Sequence, residues 1–227
     1  MIHRDRTLRI LHISDLHERE TRPLDSPNRK GAVRRDRTRR PLVLGGAAWQ
    51  SNLDWLTELR PIDLICCTGD VADWGRHEEY RRASKLIAQL REACRVPPNQ
   101  VFVVPGNHDV DRTVGGEAWS SLRSLSRVQS DHVGAWMAGE VEAPNGARQS
   151  YRDEVLERSQ AFWAWVARRT EEGGLGCEHL LPDRHSHGRL GYRVSLSQLR
   201  PEVPPVDVVG LDSAWWAGAA NDHGEQR

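Results

Sequence analysis

Residues 101–109, VFVVPGNHD, constrain the fold of this chain more than any other stretch. Val101 to Val104 form an apolar, largely β-branched run that reads as a buried strand, and Pro105 and Gly106 end it sharply. Asn107, His108 and Asp109 then arrive together at the carboxyl end of the strand. In open α/β sheets that edge is where ligands and catalytic groups collect. An amide oxygen, an imidazole and a carboxylate in a row offer a metal ligand, an acid–base group and a group to orient it.

Two earlier stretches repeat the pattern. Leu8 to Ile13 reads as a strand and delivers Ser14, Asp15, Leu16 and His17. Ile62 to Thr68 reads as another and delivers Gly69, Asp70, Val71, Ala72 and Asp73. The spacing between the strands leaves room for crossover helices, which parallel neighbours require. Parallel, adjacent strands would bring Asp15, His17, Asp70, Asn107 and His108 to one point. Oxygen and nitrogen donors without thiolate suit Mn²⁺, Fe or Zn²⁺.

Read together, D-x-H at 15–17, G-D-x-x-D at 69–73 and G-N-H-D at 106–109 resemble the calcineurin-like metallophosphoesterases, in that family's order. The resemblance is close over about residues 8–112, and Val206 to Ser213 resembles the strand that follows the third motif in that family. It implies an α/β fold of the metallophosphoesterase αββα sandwich type. It also implies two divalent metal ions, with Asp70 bridging them, Asp15 and His17 holding one and Asn107 the other. His108 would then act on the leaving oxygen, and Asp109 would fix its tautomer.

A chain of 227 residues suits one α/β domain with a sizeable core. Its 32 basic and 32 acidic residues cancel, so no global field favours nucleic acid or an acidic membrane. No apolar run approaches transmembrane length, and the first six residues lack the apolar segment of a signal peptide. Cys66 and Cys67 are adjacent on a predicted strand and face opposite sides, which argues against a disulfide framework and for a reduced, cytoplasmic protein.

Between the motifs, Ala47–Leu59 and Glu78–Cys94 carry apolar residues at helical spacing. In the second, Tyr80, Ala83, Leu86, Ile87 and Leu90 form the inward face. Residues 114–190 read as a helical cap inserted after the third motif, with helices at 118–137 and 151–170 and with Trp119, Trp136, Trp163 and Trp165 as cap core. Gly191–Leu196 and 206–212 read as two further strands.

Two segments pose a choice. The polar stretch 18–41 holds Arg29, Lys30, Arg34, Arg35, Arg37, Arg39 and Arg40. It reads as a solvated insertion or as a loop that grips substrate phosphates with its arginine forks. His185 and His187 read as exposed loop histidines, because they precede the strand at 206–212 whereas the family's G-H-x-H motif comes later.

Two departures from the family pattern sharpen the expectations. Where related protein phosphatases place an arginine after the second motif, this chain has Trp74. That favours phosphodiesters, nucleotide or nucleic-acid substrates among them, over phosphomonoesters, with Arg112 as the candidate to meet the phosphate. The further strand, the later histidine and the G-H-x-H motif of the family are not within residues 1–227, so the resemblance implies the N-terminal part of such a domain, with further residues or domains of the same protein to follow. The alternatives are a catalytically incomplete sensor or scaffold domain and an arginine-rich nucleic-acid-binding module.

Overall fold

The computed structural model describes residues 7–18, 46–171, 190–199 and 206–218. Its centre is a parallel sheet of β1 (Ile10–Ile13), β2 (Leu64–Cys67) and β3 (Val101–Val103), in that spatial order. Helix α1 (Ala47–Glu58) lies between β1 and β2 in the chain, and α2 (His77–Cys94) between β2 and β3. The fold is mixed α/β, and these are the crossovers that parallel pairing needs.

Strand burial follows position. β2 and β3 are apolar on both faces, as expected of strands covered on each side, while the β1 edge alternates between exposed and half-buried. Ile13 pairs with Cys67, and Cys67 with Val103. The three chains therefore leave the sheet at the same level. That register, set by the apolar runs, delivers all three motifs to one edge.

The helices cover the sheet through faces that the sequence spells out. Trp49, Leu53 and Leu56 of α1 are buried, while Trp55 is 57% exposed. Tyr80, Ala83, Leu86, Ile87, Leu90 and Cys94 are buried along α2, at the spacing expected of one helix face. Burying a side chain such as Leu86, Ile87 or Leu90 contributes at most roughly 1.5–3 kcal/mol. Glu79 starts this helix: its Oε2 accepts the Arg76 backbone N–H at 3.1 Å in a capping box. The same oxygen accepts the Trp74 N–H at 3.0 Å. One buried carboxylate thereby fixes both the helix start and the turn that leaves the second motif.

After β3 come α3 (Gly116–Ala138), α4 (Tyr151–Glu157) and α5 (Gln160–Glu171). The single helix expected over 151–170 is broken at Arg158 and Ser159. There the Arg158 guanidinium is drawn inward to the carbonyls of Ala217 and Gly218, at 3.0 and 2.8 Å. The break also redistributes the tryptophans. Trp119 and Trp136 pack in a separate cluster with Leu122, Met137, Tyr151 and Val155. Trp163 and Trp165 do not join them and belong to the main core. Trp165 stacks on Tyr80 at 5.2 Å and donates its ring N–H to Ser84 at 2.8 Å. Helix α5 is thus part of the principal body, because its aromatic face meets the inward face of α2.

An antiparallel pair closes the described structure: β4 (Gly191–Ser195), then the short α6 (Leu196–Leu199), then β5 (Asp207–Leu211). Tyr192 anchors the pair on the parallel sheet. Its ring stacks on Phe102 at 6.5 Å and its hydroxyl donates to the Val103 carbonyl at 2.9 Å. Burial pushes that hydroxyl well above its ordinary range, so it stays a neutral donor.

Candidate metal centre

Past the ends of β1 and β2 the two chains continue side by side. Asp15 N–H donates to the Gly69 carbonyl at 3.2 Å, His17 N–H to Asp70 at 2.8 Å, and Glu18 N–H to Val71 at 3.0 Å. Asp15, His17 and Asp70 each take a left-handed backbone conformation, with φ of 58°, 45° and 53°. Such residues cost of order 1–3 kcal/mol each and persist where the surroundings over-determine them. Three together at one sheet edge mark a site built for side-chain direction.

Glycine is required where β2 and β3 leave the sheet. Gly69 has φ of 105°, and a Cβ there would lie 2.5 Å from Gly106 Cα. The two backbones touch, so the G-D of the second motif and the P-G-N of the third fit together only as glycines.

His17, Asp70 and His108 each bring one ligand atom within 4.8 Å of the others. His17 Nε2 lies 3.6 Å from Asp15 Oδ1 and 4.0 Å from Asp70 Oδ2. These gaps exceed hydrogen-bond length. Donors about 2.1 Å from one cation sit roughly 3–3.5 Å apart, so a small contraction of this cluster admits a divalent ion. Buried His17 Nδ1 has no hydrogen-bond partner; its polar neighbour is Asp73 Oδ1 at 3.4 Å. The Ser14 hydroxyl, which donates at 2.6 Å, holds the Asp15 carboxyl below its ordinary range with help from His17 and against the opposing effect of burial, which favours the ionised form. The donor set fits a hard or borderline divalent cation.

Asn107 lines the same cavity as Asp15 and Asp70. Its backbone carbonyl accepts from the Arg112 guanidinium at 2.8 Å. Arg112 therefore braces the turn that carries Asn107. Asp70 Oδ1 accepts the His108 backbone N–H at 2.8 Å, which links the second motif to the third.

The expectation that Asp109 orients the His108 ring requires correction. Asp109 is fully buried, and its carboxylate is spent on backbone: Oδ2 accepts from Gly106 at 2.9 Å and Val71 at 3.2 Å, and Oδ1 from Ala72 at 2.8 Å. The Tyr80 hydroxyl reaches the same Oδ1 at 3.3 Å and the Asp109 carbonyl at 3.1 Å. Burial raises the Asp109 carboxyl to about 6, against the lowering effect of the three backbone donors. The carboxylate beside His108 is instead that of Asp73, buried at 5% exposure, whose Oδ1 lies 3.5 Å from His108 Nδ1. The Asp73 carbonyl stands 3.0 Å from the same nitrogen. Sequence reasoning gave Asp73 no role, although the second aspartate of G-D-x-x-D was the available signal.

The arginine run 29–40 and His185 and His187 lie outside the described residues. Among the described residues no helix is long and apolar enough to cross a membrane.

The sequence matches the family model for calcineurin-like phosphoesterases over residues 8–224, nearly the whole chain. Neither the curated proteins nor the solved structures contain a match. With the three motifs on one edge of a parallel sheet and a match of that extent, the chain belongs to the calcineurin-like phosphoesterase family.

Proposed function

We propose that the protein is a metal-dependent hydrolase that prefers phosphodiesters to phosphomonoesters. Family membership implies metal-dependent phosphoester hydrolysis. The observation that carries the reading to particular residues is the His17, Asp70 and His108 cluster at the carboxyl edge of the sheet. Asp15, His17 and Asp70 would hold one cation, and Asp70 and Asn107 would contribute to a second; Mn²⁺, Fe and Zn²⁺ suit these donors. Bound there, the cations would supply charge that offsets the phosphoryl oxygens and would lower the pKa of water for attack on phosphorus.

His108 gives a proton to the departing oxygen from Nε2, while Asp73 holds Nδ1. Asp73 also stands within 3.4 Å of His17 Nδ1, so one carboxylate steadies a ligand and the acid together. Arg112, braced on Asn107, supplies a guanidinium for a phosphate oxygen. Trp74, 53% exposed, stands where an arginine would otherwise serve the extra charge of a monoester. Unpaired Cys66, Cys67 and Cys94 support a reducing, cytoplasmic setting.

The test is hydrolysis of bis-p-nitrophenyl phosphate and p-nitrophenyl phosphate with Mn²⁺ and after chelation. Faster turnover of the diester, abolished by chelation and restored by metal, is the expected result. Faster turnover of the monoester would refute the diester preference, and turnover indifferent to chelation would refute the metal centre.

A further inference from the structure

The candidate metal-ligand edge and the segment after β5 line one cavity of about 520 Å³. Asp15, Asp70 and Asn107 line it together with Leu211, Ser213, Ala214, Trp216 and Ala217. The volume falls within the range of small-molecule sites, and a phosphate on the ligands fills only a part of it. The remainder lies against Trp216.

The segment after β5 is built with care for its position. Leu211 ends β5 and is 68% exposed, and Trp216 is 37% exposed on a single 3₁₀ turn, Ala214–Trp216. Asp212, 5% exposed, starts the turn by accepting the Ala214 N–H at 3.0 Å. Arg158, 1% exposed, ends it by donating to the carbonyls of Ala217 and Gly218. Trp215 supports the ring from behind, with centroids 5.0 Å apart and planes 69° from parallel. Two buried charged groups and an aromatic buttress fix a large apolar ring that remains open to the cavity.

We infer that Trp216 is the stacking surface for a planar aromatic group carried by the phosphoester, and that the substrate is of nucleotide class. The inference rests on the phosphoesterase reading above and adds to it the identity of the esterified group. Polar ligands can take the phosphate while the indole of the same cavity takes a base. Aromatic stacking accepts any base face, so the surface selects for a base without selecting which.

Calorimetry of the whole chain with Mn²⁺ tests this, using inorganic phosphate, ribose 5-phosphate and adenosine 5′-monophosphate as probes. The nucleotide is expected to bind on the order of ten- to a hundredfold more tightly than ribose 5-phosphate, the range for one stacked base. Trp216→Ala should remove that advantage and leave phosphate binding unchanged, whereas Trp216→Phe should keep most of it. The comparison within the wild-type protein decides the matter even if a variant fails to fold. Nucleotide bound no more tightly than ribose 5-phosphate, or an advantage that survives Trp216→Ala, would overturn the subsite and leave the phosphoesterase reading standing. Failure of the wild-type protein to bind phosphate at all would overturn both.

Discussion

Asp73 meets His108 twice, with its carbonyl oxygen 3.0 Å and its carboxylate oxygen 3.5 Å from the same ring nitrogen, Nδ1. The carboxylate oxygen is also 3.4 Å from Nδ1 of His17, whose ring meets that of His108 edge to face at 4.5 Å. A carboxylate placed between two imidazoles fixes the direction of both rings. The Asp73→Asn variant keeps the backbone contact and the shape but loses the charge. Metal affinity and kcat should each fall on the order of ten- to a hundredfold, as found for groups that support ligands. Wild-type kcat at saturating metal would mean that the backbone carbonyl alone sets the ring.

Asp70 has a different kind of importance. One of its oxygens holds the His108 backbone N–H at 2.8 Å, and the other faces His17 at 4.0 Å. Replacement by Asn retains an acceptor for the backbone bond and removes the charge that draws cations. We expect Asp70→Asn to retain the fold, by circular dichroism and thermal unfolding, while metal-dependent turnover drops more than about a hundredfold, beyond the usual effect of a supporting group. Turnover near the wild-type rate would reject Asp70 as the bridging ligand.

Asp109 should behave as a structural group. Both of its oxygens only accept, and each faces at least one backbone N–H. An Asn amide turned either way points its NH₂ at a backbone donor, and each buried donor left unpaired costs about 1–3 kcal/mol. Asp109→Asn should therefore lower the free energy of unfolding by at least that amount, measured by urea denaturation. Unchanged stability would show that Val71, Ala72 and Gly106 find other acceptors.

Much of this arrangement was legible in the sequence, because its causes are local. Three apolar β-branched runs ended by glycine or by short polar turns announced the strands, and helical spacing in residues 78–94 announced α2. Parallel register then brings the three motifs together almost unaided. What escaped reading depends on distant contacts. The partner of His108 is decided by a turn that Glu79 holds from the next helix, which no spacing in G-N-H-D reveals. The break at Arg158 depends on carbonyls 59 and 60 residues away. Trp163 and Trp165 leave the neighbouring helices for Tyr80 because of that break, and a hydrophobic pattern alone does not say which core an aromatic face will join.

Asp212 supplies a pH-dependent signature of the wall that carries Trp216. Burial raises its carboxyl from 3.8 to about 6, although the N–H groups of Ala214 and Trp215 and the Trp163 ring N–H pull it down. The sign follows from linkage: between those two values the folded protein binds more protons at this group than the unfolded chain does. Stability from this group is therefore fully present below pH 3.8 and is lost as pH rises through about 6. At about 1.4 kcal/mol per pH unit, the loss is at most about 3 kcal/mol. Asp212→Asn keeps a carbonyl oxygen for the Ala214 N–H and removes the titration. Urea unfolding of both proteins at intervals from pH 4 to 7 should show the wild-type stability falling relative to the variant up to pH 6 and running parallel to it above. Parallel curves over the whole range would show that Asp212 titrates as it does in the unfolded chain, and that the base of the Trp216 turn is open to water.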